Sequence, residues 1–247
     1  MLAVVRLLIL AVFFVVVGVL GCLFCILRPF HRNNTAFVSH VFGRMHRLFG
    51  LRLIIRVPEG LQEQGPFVYI ANHQNSYDIF TMSRSLLPGT VTIGKKSLKW
   101  IPFFGQLYWL SGNILIDRKN KGRAHGTIGT AAAAIRQRKL SVWMFPEGTR
   151  NYGRGLLPFK TGAFHTALQA KVPVVPVCMS TTHNQVSLNR WHNGTVIIEF
   201  LPPIETANLK KEGARALMQT AHEQMSAKIA ELDAEVASLD NNLPRKK

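Results

Sequence analysis

A run of 21 residues without a charge, Leu7 to Leu27, constrains this chain more than any other stretch. As a helix it is about 31 Å long, enough to cross the hydrocarbon core of a bilayer. A cleaved signal is the first competitor, but the run outlasts a usual signal core and lacks a small-x-small site before its end. Val19-Leu20-Gly21-Cys22 has the outline of a lipoprotein cleavage box, yet Leu20 is too bulky for it and apolar residues continue past the cysteine. Arg28, Arg32, Arg44 and Arg47 follow the run while Arg6 alone precedes it, and this bias predicts a cytoplasmic C-terminal side. Thr35 to Gly50 then sets Phe37, Val38, Val41, Phe42, Met45, Leu48 and Phe49 at helical spacing, with Arg44, His46 and Arg47 between them. That is a basic amphipathic helix, suited either to the headgroup region or to packing on a domain. Gly18 and Gly21 loosen the first helix, so a spanning helix and a hairpin inserted in one leaflet both stay open.

From Leu51 the pattern alternates. Short apolar runs predict strands at 51–57, 67–71, 90–94, 114–118, 140–145, 172–179 and 196–201, with helices near 78–87, 121–138, 161–170 and 207–239. Such a rhythm predicts an α/β fold, a mostly parallel central sheet flanked by helices, with ligands at the strand ends. The last helix carries a stripe of Met218, Ala221, Met225, Ile229, Leu232, Val236 and Leu239, which predicts packing onto the domain; a coiled-coil seam is the alternative.

Two strand ends carry chemistry. Phe67 to Ala71 runs into Asn72-His73-Gln74-Asn75-Ser76-Tyr77-Asp78, and Leu140 to Met144 runs into Phe145-Pro146-Glu147-Gly148-Thr149-Arg150. A histidine leaving a strand with an aspartate five positions on can be a base with its orienting carboxylate, the pair meeting across a turn that opens a helix. The same pattern also suits a plain helix-capping contact. Ser76 is a nucleophile by type, but it shares one turn with the histidine and the chain has no Gly-x-Ser-x-Gly.

What the chain binds is narrowed by charge. A formal charge of +17 points to anionic partners. No helix-turn-helix, zinc-finger spacing or aromatic RNA-binding motif is present, which argues against nucleic acid. The three cysteines, Cys22, Cys25 and Cys178, have no framework spacing and predict free thiols; no metal-ligand cluster appears in the sequence, so no metal is expected. Lys95 to Leu110 interleaves lysines with Trp100, Phe103, Phe104, Tyr108 and Trp109, a pattern for membrane docking or acyl-chain lining, or for a buried helix with a basic start.

Four blocks in order resemble the glycerolipid acyltransferase family, and most closely its bacterial 1-acylglycerol-3-phosphate acyltransferases. They are Asn72-His73 with Asp78, Gly112 to Arg118, Phe145 to Arg150, and Val172-Pro173-Val174-Val175-Pro176-Val177. The resemblance covers nearly the whole chain. It implies membrane-anchoring helices over 1–50, an α/β acyltransferase domain over 51–205, and an amphipathic helix with a basic tail over 206–247. It implies transfer of an acyl chain from acyl-CoA or acyl carrier protein to the sn-2 hydroxyl of lysophosphatidic acid, without a resident cofactor, next to anionic lipids on the cytoplasmic face of a bacterial inner membrane. His73 would be the base and Asp78 its partner. Arg118, Glu147, Gly148, Thr149 and Arg150 would bind substrate, the arginines forking onto phosphate and Glu147 orienting an arginine or a hydroxyl. Arg118 has a plainer alternative, a sheet-edge salt bridge, and Arg154 and Lys160 are further cations nearby.

Overall fold

The computed structural model describes residues 1–116 and 121–241, the side chains of 121–125, 127 and 211 excepted. All seven expected strands form one sheet: β1 (Arg52–Arg56), β2 (Val68–Ala71), β3 (Thr90–Lys95), β4 (Ile114–Ile116), β5 (Ser141–Met144), β6 (Val174–Met179) and β7 (Thr195–Phe200), in the order β1-β7-β6-β2-β5-β3-β4. Five of the six neighbouring pairs are parallel. The exception is β6 with β7, joined by a loop without a crossover helix, so the chain must return antiparallel.

Strand side chains alternate between two cores because successive residues point to opposite faces. Val68, Ile70 and Val142 face α5 (Lys121–Arg138), α6 (Gly162–Ala170) and α7 (Ala214–Asn241). Tyr69, Ala71 and Trp143 face α1 (Leu2–Leu27), α2 (Asn34–Gly43), α3 (Asp78–Thr81) and α4 (Phe104–Leu110). The expected α/β class with a mostly parallel, helix-flanked sheet is the fold observed.

On α7 the apolar stripe packs onto the domain. Ala221, Met225 and Leu232 are buried in the first core, and Met218, Ile229, Val236 and Leu239 lie against it. Asp233 accepts from the Thr181 amide and hydroxyl at 2.6 and 2.7 Å, and Asp240 from those of Thr195 at 3.1 and 2.7 Å. Carboxylates at these two points fix the helix along β6 and β7. The basic tail beyond residue 241 lies outside the described residues.

The apolar run extends to a 26-residue helix, long and apolar enough to cross a membrane by length and composition, and almost none of it is buried. Both of its ends nevertheless touch the domain. At the start Ala3 and Arg6 bond the loop between β6 and β7; at the end the Phe30 amide donates to the Leu110 carbonyl at 3.1 Å. Between these points Gly18 lies on Phe103 and Gly21 on Leu107, where a β-carbon would come within 2.5 and 2.8 Å of those side chains. The two glycines therefore allow close approach of α1 to α4. Phe13 and Phe14 pack edge-on against Phe42 of α2, each at 5.3 Å.

The 95–110 stretch divides between its readings. Lys96–Trp100 is a 3-10 turn leading into α4, whose Gly105 and Leu107 are buried while Trp100, Phe103 and Trp109 are exposed. The expected helix over 78–87 is shorter: after α3 the chain tightens into a 3-10 turn at Met82–Ser85 and turns extended before Pro88.

Candidate active site

β2 ends where polar residues take over its hydrogen bonding. The Asn72 side chain pairs with Met179 as a strand residue would, accepting from its amide and donating to its carbonyl, each at 2.9 Å. Gln74 donates to the Met179 and Ser180 carbonyls and accepts from the Thr182 amide at 2.7 Å. These buried amides anchor the turn to the end of β6. The sequence placed Asn72 and Gln74 in the turn without a role; the available signal was polar side chains directly after a buried strand, which must find partners inside.

Between these anchors His73 and Asp78 meet as their spacing suggests. The Asp78 Oδ2 bonds His73 Nδ1 at 2.6 Å and accepts from the amides of Gln74 and Asn75 at 2.7 and 3.3 Å. Asp78 is buried at the start of α3, and its three contacts to one oxygen hold the imidazole in a single orientation. His73 Nδ1 then carries the proton toward the carboxylate, which leaves Nε2 as the acceptor nitrogen. The other face of the ring is fixed by Phe145, stacked at 4.1 Å and 16°.

The second turn is tied to the first by backbone. The Asn151 amide donates to the His73 carbonyl at 2.8 Å and the Tyr152 amide to that of Gln74 at 2.9 Å. Glu147, expected to meet substrate, completes the join through the backbone. Only 2% exposed, it accepts from the His73 amide through Oε1 at 2.6 Å and from the Leu157 amide through Oε2 at 3.0 Å. Each oxygen accepts from a backbone amide, so the side chain braces the histidine. Burial raises its pKa, partly offset by the two amide bonds.

Arg150 is half-buried, and its Nη1 donates to the Ser76 and Tyr152 hydroxyls at 3.2 and 3.3 Å, both neutral groups. Arg154 donates to the carbonyls of Asn151 and Arg150 at 2.8 and 3.0 Å, buttressing the turn. Gly148 has φ +70°, and a side chain there would collide with Lys160, which lies across it. Arg118 and its neighbour Asp117 lie outside the described residues.

Below the turns opens a cavity of about 770 Å³. His73, Asp78, Gly148, Thr149 and Arg150 border it at the polar end. Phe14, Phe42, Met82, Leu86, Ile93 and Phe104 give it apolar walls. At the level of Trp143, two residues short of Phe145 along the sheet, one wall is a hydrogen-bonded cluster. Asn113 of the second block accepts from the Thr92 amide and hydroxyl, each at 2.8 Å, and the Thr92 hydroxyl bonds Tyr108 at 2.6 Å. Among the described residues no three His, Cys, Asp or Glu side chains converge as metal ligands would.

A histidine held by a buried carboxylate, beside a cationic turn and above an apolar cavity, on an α/β sheet, is an arrangement suited to acyl transfer. Comparison with known proteins agrees. The Acyltransferase family model matches residues 52–180, which include both turns, and the chain belongs to that family. It is 53% identical over 237 residues to the 1-acyl-sn-glycerol-3-phosphate acyltransferase of Escherichia coli (strain K12), covering 96% of this chain and 97% of the relative. The enzyme of the same description from Haemophilus influenzae is 48% identical over 96% of this chain and 99% of its own. That of Saccharomyces cerevisiae is 38% identical over 81% and 67%. The fold matches the crystal structure of the 1-acyl-sn-glycerophosphate (LPA) acyltransferase PlsC from Thermotoga maritima with a TM-score of 0.72, at 21% identity and over 94% of this chain and 98% of that one.

Proposed function

We propose that this acyltransferase moves an acyl chain from a thioester of coenzyme A or acyl carrier protein to the sn-2 hydroxyl of lysophosphatidic acid, forming phosphatidic acid. The observation that carries the chemistry is the 2.6 Å bond from His73 Nδ1 to Asp78, which turns the second ring nitrogen to the task of base. His73 takes the hydroxyl proton as the oxygen attacks the thioester carbon; Asp78 stabilises the imidazolium; the proton then passes to the departing thiolate. A thioester is already activated, so direct attack within a ternary complex needs no nucleophile from the enzyme. Gly148 and Thr149 border the cavity beside His73, where the Thr149 amide or hydroxyl can meet developing negative charge. Arg150, held among the described residues by two hydroxyls, offers its guanidinium to the acceptor's phosphate. The apolar part of the cavity takes lipid chain.

The relatives' names supply the acceptor; the geometry favours a one-leaflet attachment. Contacts of both ends of α1 with one domain favour a single side of the bilayer for both, and the basic flank after the helix favours the cytoplasmic face of the inner membrane, with the exposed side of α1 in lipid. Trp100, Trp109 and Trp191, all exposed, suit the interface on the same reading.

The test is turnover by purified protein in detergent, given lysophosphatidic acid and either thioester, with product identified by mass. Glycerol 3-phosphate and lysophosphatidylcholine serve as competing acceptors. His73→Ala should lower turnover by roughly 10²–10⁴-fold while the protein stays folded. Near-normal turnover in that variant rules out the base.

A further inference from the structure

Arg6 is the only charged residue of α1, and it points the wrong way for a helix in water. It is 2% exposed while Val5, Leu7 and Leu8 beside it are 50–63% exposed. Its guanidinium meets a cradle of backbone carbonyls in the loop between β6 and β7. Nη1 donates to Arg190 at 2.8 Å, Leu188 at 2.9 Å and Ser187 at 3.3 Å, and Nη2 to Trp191 at 3.4 Å. One turn earlier the Ala3 amide donates to Asn189 Oδ1 at 2.9 Å, so the same loop satisfies an open amide of the helix start.

The cradle is built independently of its guest. Buried Asn193 accepts from the Ser187 amide and the Arg190 Nε at 2.8 and 2.9 Å. Its Nδ2 donates to the carbonyls of Phe49, Ser187 and Arg190 at 2.7, 3.0 and 3.2 Å. Carbonyls fixed in this way converge on a planar fork at little further cost in order, and a point charge on a flexible stem fits them less well.

Phe14, two turns after Arg6, lines the cavity and packs on Phe42, Phe80 and Phe104. The far end of α1 is held by its covalent run into α2. The near end is held by Arg6 and Ala3. We infer that Arg6 is a positioning residue: clasped by loop 187–191, it fixes α1 so that Phe14 closes one side of the cavity, and it keeps the amino terminus on the same side of the bilayer as the two turns. The cavity's use for a lipid chain rests on the function proposed above; the clasp itself does not.

The experiment uses the full chain in detergent and in anionic vesicles, with Cys22, Cys25 and Cys178 replaced. An Ala3→Cys, Asn189→Cys pair reports the docked helix by its rate of oxidative crosslinking, read without any activity. Arg6→Ala should slow crosslinking about tenfold and raise the KM for long-chain lysophosphatidic acid about tenfold with kcat within about twofold. Once formed, the crosslink should return KM to near the parental value, and reduction should raise it again. Arg6→Lys should move both readouts in the same direction by less, and it decides the matter if the alanine variant does not fold. Unchanged crosslinking and KM, or a crosslink that fails to restore KM, overturns the inference. Loss of turnover in the parent protein tells instead against the proposed reaction, and the crosslinking rate still judges Arg6.

Discussion

Replacing Glu147 with glutamine separates a brace from a substrate ligand. The buried carboxylate holds two backbone amides at 2.6 and 3.0 Å. Glutamine keeps one acceptor and turns its NH2 group toward the other amide, so one charge-assisted bond is lost and two donors face each other. Each such bond is worth about 1.5–3 kcal/mol and a stranded buried donor costs about 1–3 kcal/mol. Removing the buried charge returns part of this, which sets the net loss near 2 kcal/mol and lowers Tm by several degrees. The larger effect is on position. The amide released is that of His73, and a displacement of about 1 Å in a catalytic group can cost on the order of 10²-fold. Steady-state kinetics at saturating thioester should show kcat down by roughly 10–100-fold and acceptor KM nearly unchanged. Burial raises the Glu147 pKa, so the fold favours the protonated carboxyl. That contribution is complete below the ordinary carboxylate pKa and is lost as pH rises through the raised one. Glutamine does not titrate, so the Tm gap between parent and variant should be widest at acid pH and narrow toward neutrality. A raised acceptor KM with kcat intact would show that Glu147 touches the acceptor and refute the brace.

Two further substitutions probe the ends of the cavity. Arg150→Lys keeps the charge and loses the fork, so efficiency with lysophosphatidic acid should fall about ten- to a hundredfold while thioester efficiency changes little; kinetics with each substrate varied in turn will show it. Tyr108→Phe removes one hydroxyl from the cluster with Thr92 and Asn113. A wall stiffened by hydrogen bonds resists repacking, so competition among thioesters of increasing length should show relaxed discrimination, by about tenfold for the first disfavoured chain.

The sheet was legible because each strand is a short apolar run bounded by turn residues, and β2, β5 and β6 are buried on both faces. The His73–Asp78 pair was legible because its chemistry and spacing agree. The bracing contacts of Glu147 were not legible because its neighbours in sequence, Thr149 and Arg150, border the cavity, while its own direction depends on an amide 74 positions away. Asn113 lies in a recognised block but serves the cavity wall through Thr92, 21 positions distant. Arg6 was visible only as a flanking charge. Its partners are backbone carbonyls, which leave no signature in side-chain identity, and they lie more than 180 residues along the chain.

The mooring of α1 at both ends also bears on where new lipid goes. On the proposed function, an enzyme seated in one leaflet would receive a single-chained molecule from that leaflet and return a two-chained one to it. Growth in area would then be confined to one side of the bilayer, and relieving the resulting asymmetry would need a separate machinery that carries headgroups across.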